Sequence, residues 1–161
     1  MTINRGSRTA ILRGTKIVIT EVGSYESNMQ DIADRAEVSR ATVYNHFSDK
    51  EEMMYSLLES EIHRLIALAK SAPSRGAALH LLSAEISRDP ALRKMVITDP
   101  LDIARFVTIA ESPLWLLIKS SLADLFGDSS GLILHWLIGQ VASPLSAGDS
   151  AAQAEQLART L

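Results

Sequence analysis

The chain has 161 residues, 47% of them hydrophobic and 22% charged, with a formal net charge of −3. That suits an ordinary globular core and gives no long-range field drawing the whole molecule onto nucleic acid or an anionic membrane. With no cysteine there is no disulfide framework, thiolate metal site or cysteine nucleophile. The longest large-apolar run, Leu114 to Ile118, is far short of the roughly 20 residues that cross a bilayer, so a soluble cytoplasmic protein is expected.

Charge is unevenly placed. Residues 1–20 carry Arg5, Arg8, Arg13 and Lys16 and no acid, whereas residues 51–161 hold 9 basic and 13 acidic side chains. A first helix is predicted over about 7–22, with Ile11, Thr15, Val18, Ile19 and Val22 on one stripe and Gly23 at the C′ position. Asn28 caps a short second helix carrying Met29, Ile32, Ala33 and Ala36 on one face, and Glu37-Val38-Ser39 breaks it. A third short helix follows from about Arg40 to Phe47. Asp49 then caps a long fourth helix, with Glu52 at the reciprocal capping-box position and Met54, Leu58, Ile62, Leu65 and Ala69 as its stripe, as far as Ala72-Pro73.

Beyond Gly76 the pairs Asp89-Pro90, Asp99-Pro100, Ser112-Pro113 and Ser143-Pro144 read as N-caps followed by proline in the first turn. Helices are predicted near 76–88, 90–98, 100–111, 113–126, 130–142 and 150–160. No alternating-polarity run bounded by hairpin turns occurs, so the fold class is all-α.

Two short helices joined by a tight turn behind a longer helix have the layout of a helix-turn-helix. The run from Ile32 through Arg40-Ala41-Thr42-Val43-Tyr44-Asn45-His46-Phe47 to Glu52 resembles the signature of the TetR family of transcriptional regulators. Glu37 stands at the turn position where that family usually has glycine. The resemblance implies a three-helix DNA-binding domain over 1–50 and a helical ligand-sensing and dimerisation domain over 51–161, here a short one. Projected at about 100° per residue, the third helix has Val43 and Phe47 on its buried side. Ala41, Thr42 and Asn45 then point outward, flanked by Tyr44 and His46. This suits a major groove walled by phosphates. The resemblance implies that Arg40, Thr42 and Asn45 approach bases while Tyr44, His46 and Lys50 hold the backbone; Asn28 and Ala41 complete the candidate DNA-contact set. Arg5, Arg8 and Arg13 are candidates for an electrostatic footprint on phosphates or the minor groove, or are simply solvated.

No catalytic site, metal site or cofactor is expected. His46, His63, His80 and His135 fall on separate helices, no HExxH, GxSxG or P-loop pattern occurs, and the i, i+4 pair Glu59/His63 reads as an ordinary surface contact. A helical interaction or ligand-sensing module without DNA-binding activity is the rival reading. Leu82, Ile86, Met95, Leu101, Phe106 and Val107 are candidate walls of a pocket for a small apolar or amphipathic effector, or pack on each other. On 113–126 the stripe of Leu114, Ile118, Leu122 and Leu125 leaves Leu116 over. On 130–142 the stripe of Leu134, Leu137, Ile138 and Val141 leaves Leu132, Trp136 and Gly139. These four residues are the expected interface of a two-fold homodimer, a four-helix bundle built from both helices of each chain. Its operator would be a near-palindromic DNA duplex.

Overall fold

Serine, asparagine and aspartate side chains start most of the helices. The computed structural model describes residues 3–108 and 111–161, without the side chains of residues 3–5, and its elements there are helical. They are α1 (Ile3–Val22), α2 (Met29–Arg35), α3 (Arg40–His46), α4 (Lys50–Lys70) and α5 (Arg75–Arg88). Then follow α6 (Pro90–Thr98), α7 (Pro100–Thr108), α8 (Pro113–Phe126), a 3-10 turn (Gly127–Ser129), α9 (Ser130–Ala142) and α10 (Ala147–Ala158). Asn28 accepts from the N–H groups of Gln30 and Asp31, Ser39 from Thr42, Asp49 from Glu52 and Ser112 from Trp115, each removing an orphan donor at a helix start.

The β-branched run Thr15 to Thr20 is helical because the helix buries Val18 and Ile19 in the core; its threonine hydroxyls find partners one turn back, Thr15 on the Ile11 carbonyl and Thr20 on the Lys16 carbonyl, both at 2.9 Å. α1 begins at Ile3, a turn before the predicted start, and the Arg5 side chain lies outside the described residues. The last turn predicted for the 100–111 helix likewise includes residues 109–110, which are not described.

Two clusters of buried side chains organise the chain. In the first, Ile11, Leu12, Val18 and Ile19 of α1 meet Ile32, Ala33 and Ala36 around α2, Val43 and Phe47 around α3, and Met53 and Leu57 of α4. Ala91 of α6 is buried in the same cluster, with Met95 packed against it. The core of the N-terminal unit therefore continues past residue 50, through the first half of α4 and on to α6. Gly14 permits this packing: a Cβ there would lie 2.9 Å from the Ala36 backbone nitrogen and 3.1 Å from the Ile32 carbonyl oxygen. The second cluster joins Ala69, Ala78, Leu79, Leu82 and Ile86 of α4 and α5 to Leu122, Phe126, Ile133, Leu137 and Ala154 of α8 to α10.

Three local readings need correction. Ser143-Pro144 starts no helix; residues 143–146 are irregular, and Ser146 caps α10 by accepting from the Asp149 N–H. On α4 the buried apolar positions in the first turns are Met53 and Leu57, one residue before the predicted Met54 and Leu58, which are half-buried. On α9 the buried positions are Ile133, Leu137 and Gln140, with Leu134, Ile138 and Val141 half-buried. In both helices the face that meets the core is rotated by the neighbouring helix from the one apolar spacing selects.

Candidate nucleic-acid interface

The turn between α2 and α3 sets how α3 is presented. Ala36 ends α2, the Glu37 N–H donates to the Asp34 carbonyl at 3.2 Å and the Val38 N–H to the Ala33 carbonyl at 3.0 Å. This Schellman pattern requires a left-handed residue at Glu37, whose φ is +55°. A glutamate takes the conformation that glycine adopts without steric strain.

From that turn, α3 buries Val43 and, at its end, Phe47, and leaves Arg40, Ala41, Tyr44 and Asn45 exposed, with Thr42 and His46 intermediate. Of the three residues projected outward from the sequence, Ala41 and Asn45 are exposed and Thr42 is half-buried. The Arg40 guanidinium lies 5.4 Å over the Tyr44 ring and reaches its hydroxyl at 3.4 Å, so the two form one amphipathic flank of the helix. Thr42 and Ser39 share a hydroxyl hydrogen bond of 2.8 Å, and the His46 ring leans on Phe47. Asn45 stands on the exposed face. Arg8 places its guanidinium 5.4 Å from the Phe47 ring, which brings the N-terminal helix and one of its cations close to the end of α3; Arg13 is exposed.

Between the start of α2 and the side of α3 runs an open cleft of about 440 Å³ lined by Ser27, Asn28, Met29, Gln30, Arg40, Tyr44 and Lys50. Four of the eight candidate DNA-contact residues thus share one concavity. Ser27, Met29 and Gln30 were not singled out from the sequence, where the segment before α2 offers only its cap as a signal. The Asn28 side chain is already engaged, accepting from two backbone N–H groups and donating to the Asp31 carboxylate at 2.7 Å. The Lys50 ammonium is engaged too, donating to the carbonyl oxygens of Ser24, Tyr25 and Ser27 at 3.0, 2.9 and 3.1 Å.

The remaining cation of the first helix faces the rest of the molecule. Lys16 pairs with Glu61 of α4 at 2.8 Å and with Asp89 at 2.7 Å. Burial, which favours its neutral form, is outweighed by those two carboxylates, and the ammonium is held above its ordinary pKa. Asp89 also caps α6 through the N–H groups of Ala91 and Leu92, so one carboxylate fixes the start of α6 to α1.

Asp99, predicted as the cap of α7, turns its carboxylate instead to the loop between α1 and α2. Burial raises its pKa, but hydrogen bonds from the Thr98 hydroxyl and the Tyr25 and Ser24 N–H groups, with the Lys50 charge nearby, hold it below the usual carboxylate value.

The six predicted pocket residues do not surround one space. Leu82 and Ile86 are in the second core, Met95 packs against the first, and Leu101 is 72% exposed. Phe106 stacks on Trp115, whose indole N–H donates to the Phe106 carbonyl at 3.0 Å; Val107 is half-buried. α6 lies between the two clusters, with Ala91 and Met95 turned to the first and Leu92 to the second. Of the four predicted interface residues, Leu116 and Leu132 are 62% and 58% exposed and Gly139 is open, with nothing within 4 Å of a Cβ built on it. Trp136 is placed differently, half-buried against the second core with its indole N–H donating to Gln153 of α10 at 2.8 Å.

Comparison with known proteins agrees with this geometry. The profile described as bacterial regulatory proteins, tetR family, matches residues 11–57. The HTH-type transcriptional activator FasR of Mycolicibacterium smegmatis is 32% identical over 65 residues, a stretch covering 40% of this chain and 30% of FasR. The chain thus matches less than a third of the length of that curated relative. Among solved structures the fold is similar to a transcriptional regulator of the TerR/AcrR family from Aquifex aeolicus, with a TM-score of 0.65 at 17% identity over 96% of this chain and 99% of that one. It is also similar to the TetR family repressor AlkX from a Dietzia strain, with a TM-score of 0.61 at 17% identity over 95% and 94%. The fatty acid degradation regulator FadR from Bacillus halodurans follows with a TM-score of 0.56 at 16% identity over 94% of each chain.

Proposed function

Because residues 11–57 match the tetR family of bacterial regulatory proteins, we propose that the chain is a regulator of that family that binds duplex DNA sequence-specifically through α3 and represses transcription. The observation that carries the reading is α3 itself. Its apolar side is consumed by the first core, while Arg40, Ala41, Tyr44 and Asn45 are exposed beside a cleft at the start of α2. Arg40, Thr42 and Asn45 are the proposed base readers, since guanidinium and carboxamide groups pair bidentately with base edges. Tyr44 and His46 are the proposed phosphate contacts, with Asn28 and Ala41 completing the surface.

Selection of duplexes from a random pool, followed by binding at several salt concentrations, tests this. Tyr44→Ala is expected to weaken binding to all sequences. Asn45→Ala or Arg40→Ala is expected to lose discrimination at particular base pairs, on the order of 1–3 kcal/mol each. A wild-type protein that selects no sequence and shows no salt-dependent binding would favour the rival reading, a helical module without DNA-binding activity.

The proposal extends to assembly as a homodimer through α8 and α9. Leu116 and Leu132 expose large apolar surface on consecutive helices, and the open Gly139 gives a second helix room to approach. Two reading heads would then face successive major grooves of a near-palindromic operator, with half-sites about one DNA turn apart. Leu132→Glu is the suitable probe, because Trp136 is tied into its own chain; light scattering should find the variant monomeric with its helix content intact. A small apolar or amphipathic effector is the proposed releasing signal. AlkX is described in connection with n-alkane biodegradation and FadR with fatty acid degradation, which makes alkanes and fatty acids the first classes to screen by thermal shift. Stabilising compounds that leave DNA affinity unchanged would remove the effector from the scheme.

A further inference from the structure

The loop joining α1 to α2 is gripped from two sides by residues remote in sequence. On its N–H side, Asp99 accepts from the Ser24 N–H at 2.9 Å and the Tyr25 N–H at 2.8 Å, and Asp102 accepts from the Ser24 hydroxyl at 2.7 Å. On its carbonyl side, Lys50 reaches Ser24, Tyr25 and Ser27. The fit is close. Gly23 has φ +91°, and a Cβ on it would lie 2.4 Å from the Thr98 hydroxyl and 2.6 Å from an Asp99 carboxylate oxygen. An ammonium carries three N–H donors, so the three carbonyls engage all that Lys50 has. Charge-assisted bonds of this kind are stronger than neutral ones, and here they converge on a single short loop. That loop ends in Asn28, and its residues Ser27 and Asn28 form one wall of the cleft whose other wall is Arg40 and Tyr44 of α3.

We infer that Lys50 and Asp99 are positioning residues for the DNA-reading unit, Lys50 holding the loop that sets the start of α2 instead of neutralising a phosphate, and Asp99 holding the same loop from the α6–α7 side. The inference rests on the DNA-binding reading above. It separates two roles with different signatures. A lysine that neutralises a phosphate releases a counterion on binding and contributes to the slope of log affinity against log salt. One that shapes the surface changes affinity without changing that slope.

The experiment measures binding of the full-length protein to a mixed-sequence duplex by fluorescence anisotropy across a salt series, with thermal melts to confirm folding. The variants are Lys50→Met, Lys50→Arg, Asp99→Asn and the Lys50→Met/Asp99→Asn double. Loss of charge-assisted bonds is expected to weaken Lys50→Met by about tenfold or more, with the wild-type salt slope. Lys50→Arg should do no better, because a planar guanidinium serves a phosphate well but cannot direct three N–H groups onto three converging carbonyls. Asp99→Asn should weaken binding as well, and the double variant should lose less than the sum of the two, since both act through one loop. Native-state hydrogen exchange should speed up at the Ser24 and Tyr25 amides in Asp99→Asn. A slope shallower by about 0.9 in Lys50→Met with full affinity retained by Lys50→Arg would make Lys50 a phosphate contact and overturn the inference. Unchanged affinity in both Lys50→Met and Asp99→Asn would overturn it too. A wild-type protein without salt-dependent duplex binding would instead sink the DNA-binding reading, and the exchange measurement would still report whether the clasp exists.

Discussion

The N-terminal unit and the helices α5 and α8–α10 solve the same packing problem in opposite ways. In α1–α3 most of the apolar surface is consumed, although Ile17 and Val22 of α1, the latter on its predicted stripe, stay 40% and 39% exposed: α3 hides Val43 and Phe47 and shows the solvent arginine, tyrosine and asparagine. In the second region the outer surface keeps Leu116 and Leu132 exposed while the interior holds Ser83, Ser150 and Gln140, all about 1% exposed. The serines bond to each other, and the Ser150 hydroxyl donates to the Gln140 carbonyl oxygen at 2.7 Å. Here a small buried polar cluster sits beside an apolar core while two large apolar side chains face outward. A surface shaped for a charged, hydrated ligand leaves binary patterning intact. The surface of α8 and α9, with Leu116 and Leu132 exposed, departs from it.

The same substitution at two glycines should expose that contrast most strongly. At Gly14 the added side chain has backbone against it, the Ala36 nitrogen and the Ile32 carbonyl, and neither can swing aside. Gly14→Val is expected to separate α2 from α1 and to destabilise the protein by about 3 kcal/mol, the upper range for overpacking. At Gly139 nothing lies within 4 Å. Gly139→Val should leave the thermal midpoint of the isolated chain unchanged or slightly raised, because glycine is a poor helix former, while lowering the mass seen by light scattering. Equal destabilisation at both positions would mean that α9 packs within its own chain as tightly as α1 does.

A smaller effect of opposite sign is expected at Glu37. Its φ of +55° strains any residue with a Cβ by about 1 kcal/mol. Glu37→Gly relieves that strain, at some loss from the greater freedom of the unfolded chain. The net gain should be a fraction of 1 kcal/mol, read as a raised urea midpoint. A loss would show that the Glu37 side chain contributes more than its backbone costs.

What the sequence made legible was mostly what is decided within four residues. Asn28, Ser39 and Asp49 are caps because their partners are two or three positions away, and the face of α3 followed from helical spacing alone. Asp99 carries the same local pattern, Asp before Pro, but its carboxylate is claimed by N–H groups 75 and 74 residues earlier. Lys50 was legible as a cation in a first turn, not as the holder of three carbonyls more than twenty residues away. Glu52 illustrates the intermediate case. It reaches back as a capping box predicts, but accepts from the Ser48 N–H and hydroxyl, both at 2.7 Å, one residue before the cap. The placement of α6 was hidden for a long-range reason as well, because nothing local in α6 says that Ala91 and Met95 will join the core of α1.

The subtlest test of the contrast is Gln140. Its Nε2 is the one buried side-chain polar atom among the described residues without a hydrogen-bond partner, although the residue is 1% exposed. A buried amide donor left unpaired costs about 1–3 kcal/mol, and the group on its other side, the Ser150 hydroxyl, has further contacts with the Ser83 carbonyl and hydroxyl. Gln140→Met therefore removes a penalty together with one replaceable hydrogen bond and nearly preserves volume. Its expected effect is less than about 1 kcal/mol in either direction, against about 2–5 kcal/mol for truncating the neighbouring apolar Ile133 to alanine. Denaturant midpoints of the two variants decide the matter. A loss from Gln140→Met as large as that from Ile133→Ala would mean that the Nε2 has a partner in solution, and that the polar interior of this region is as fully satisfied as the apolar interior of the reading unit.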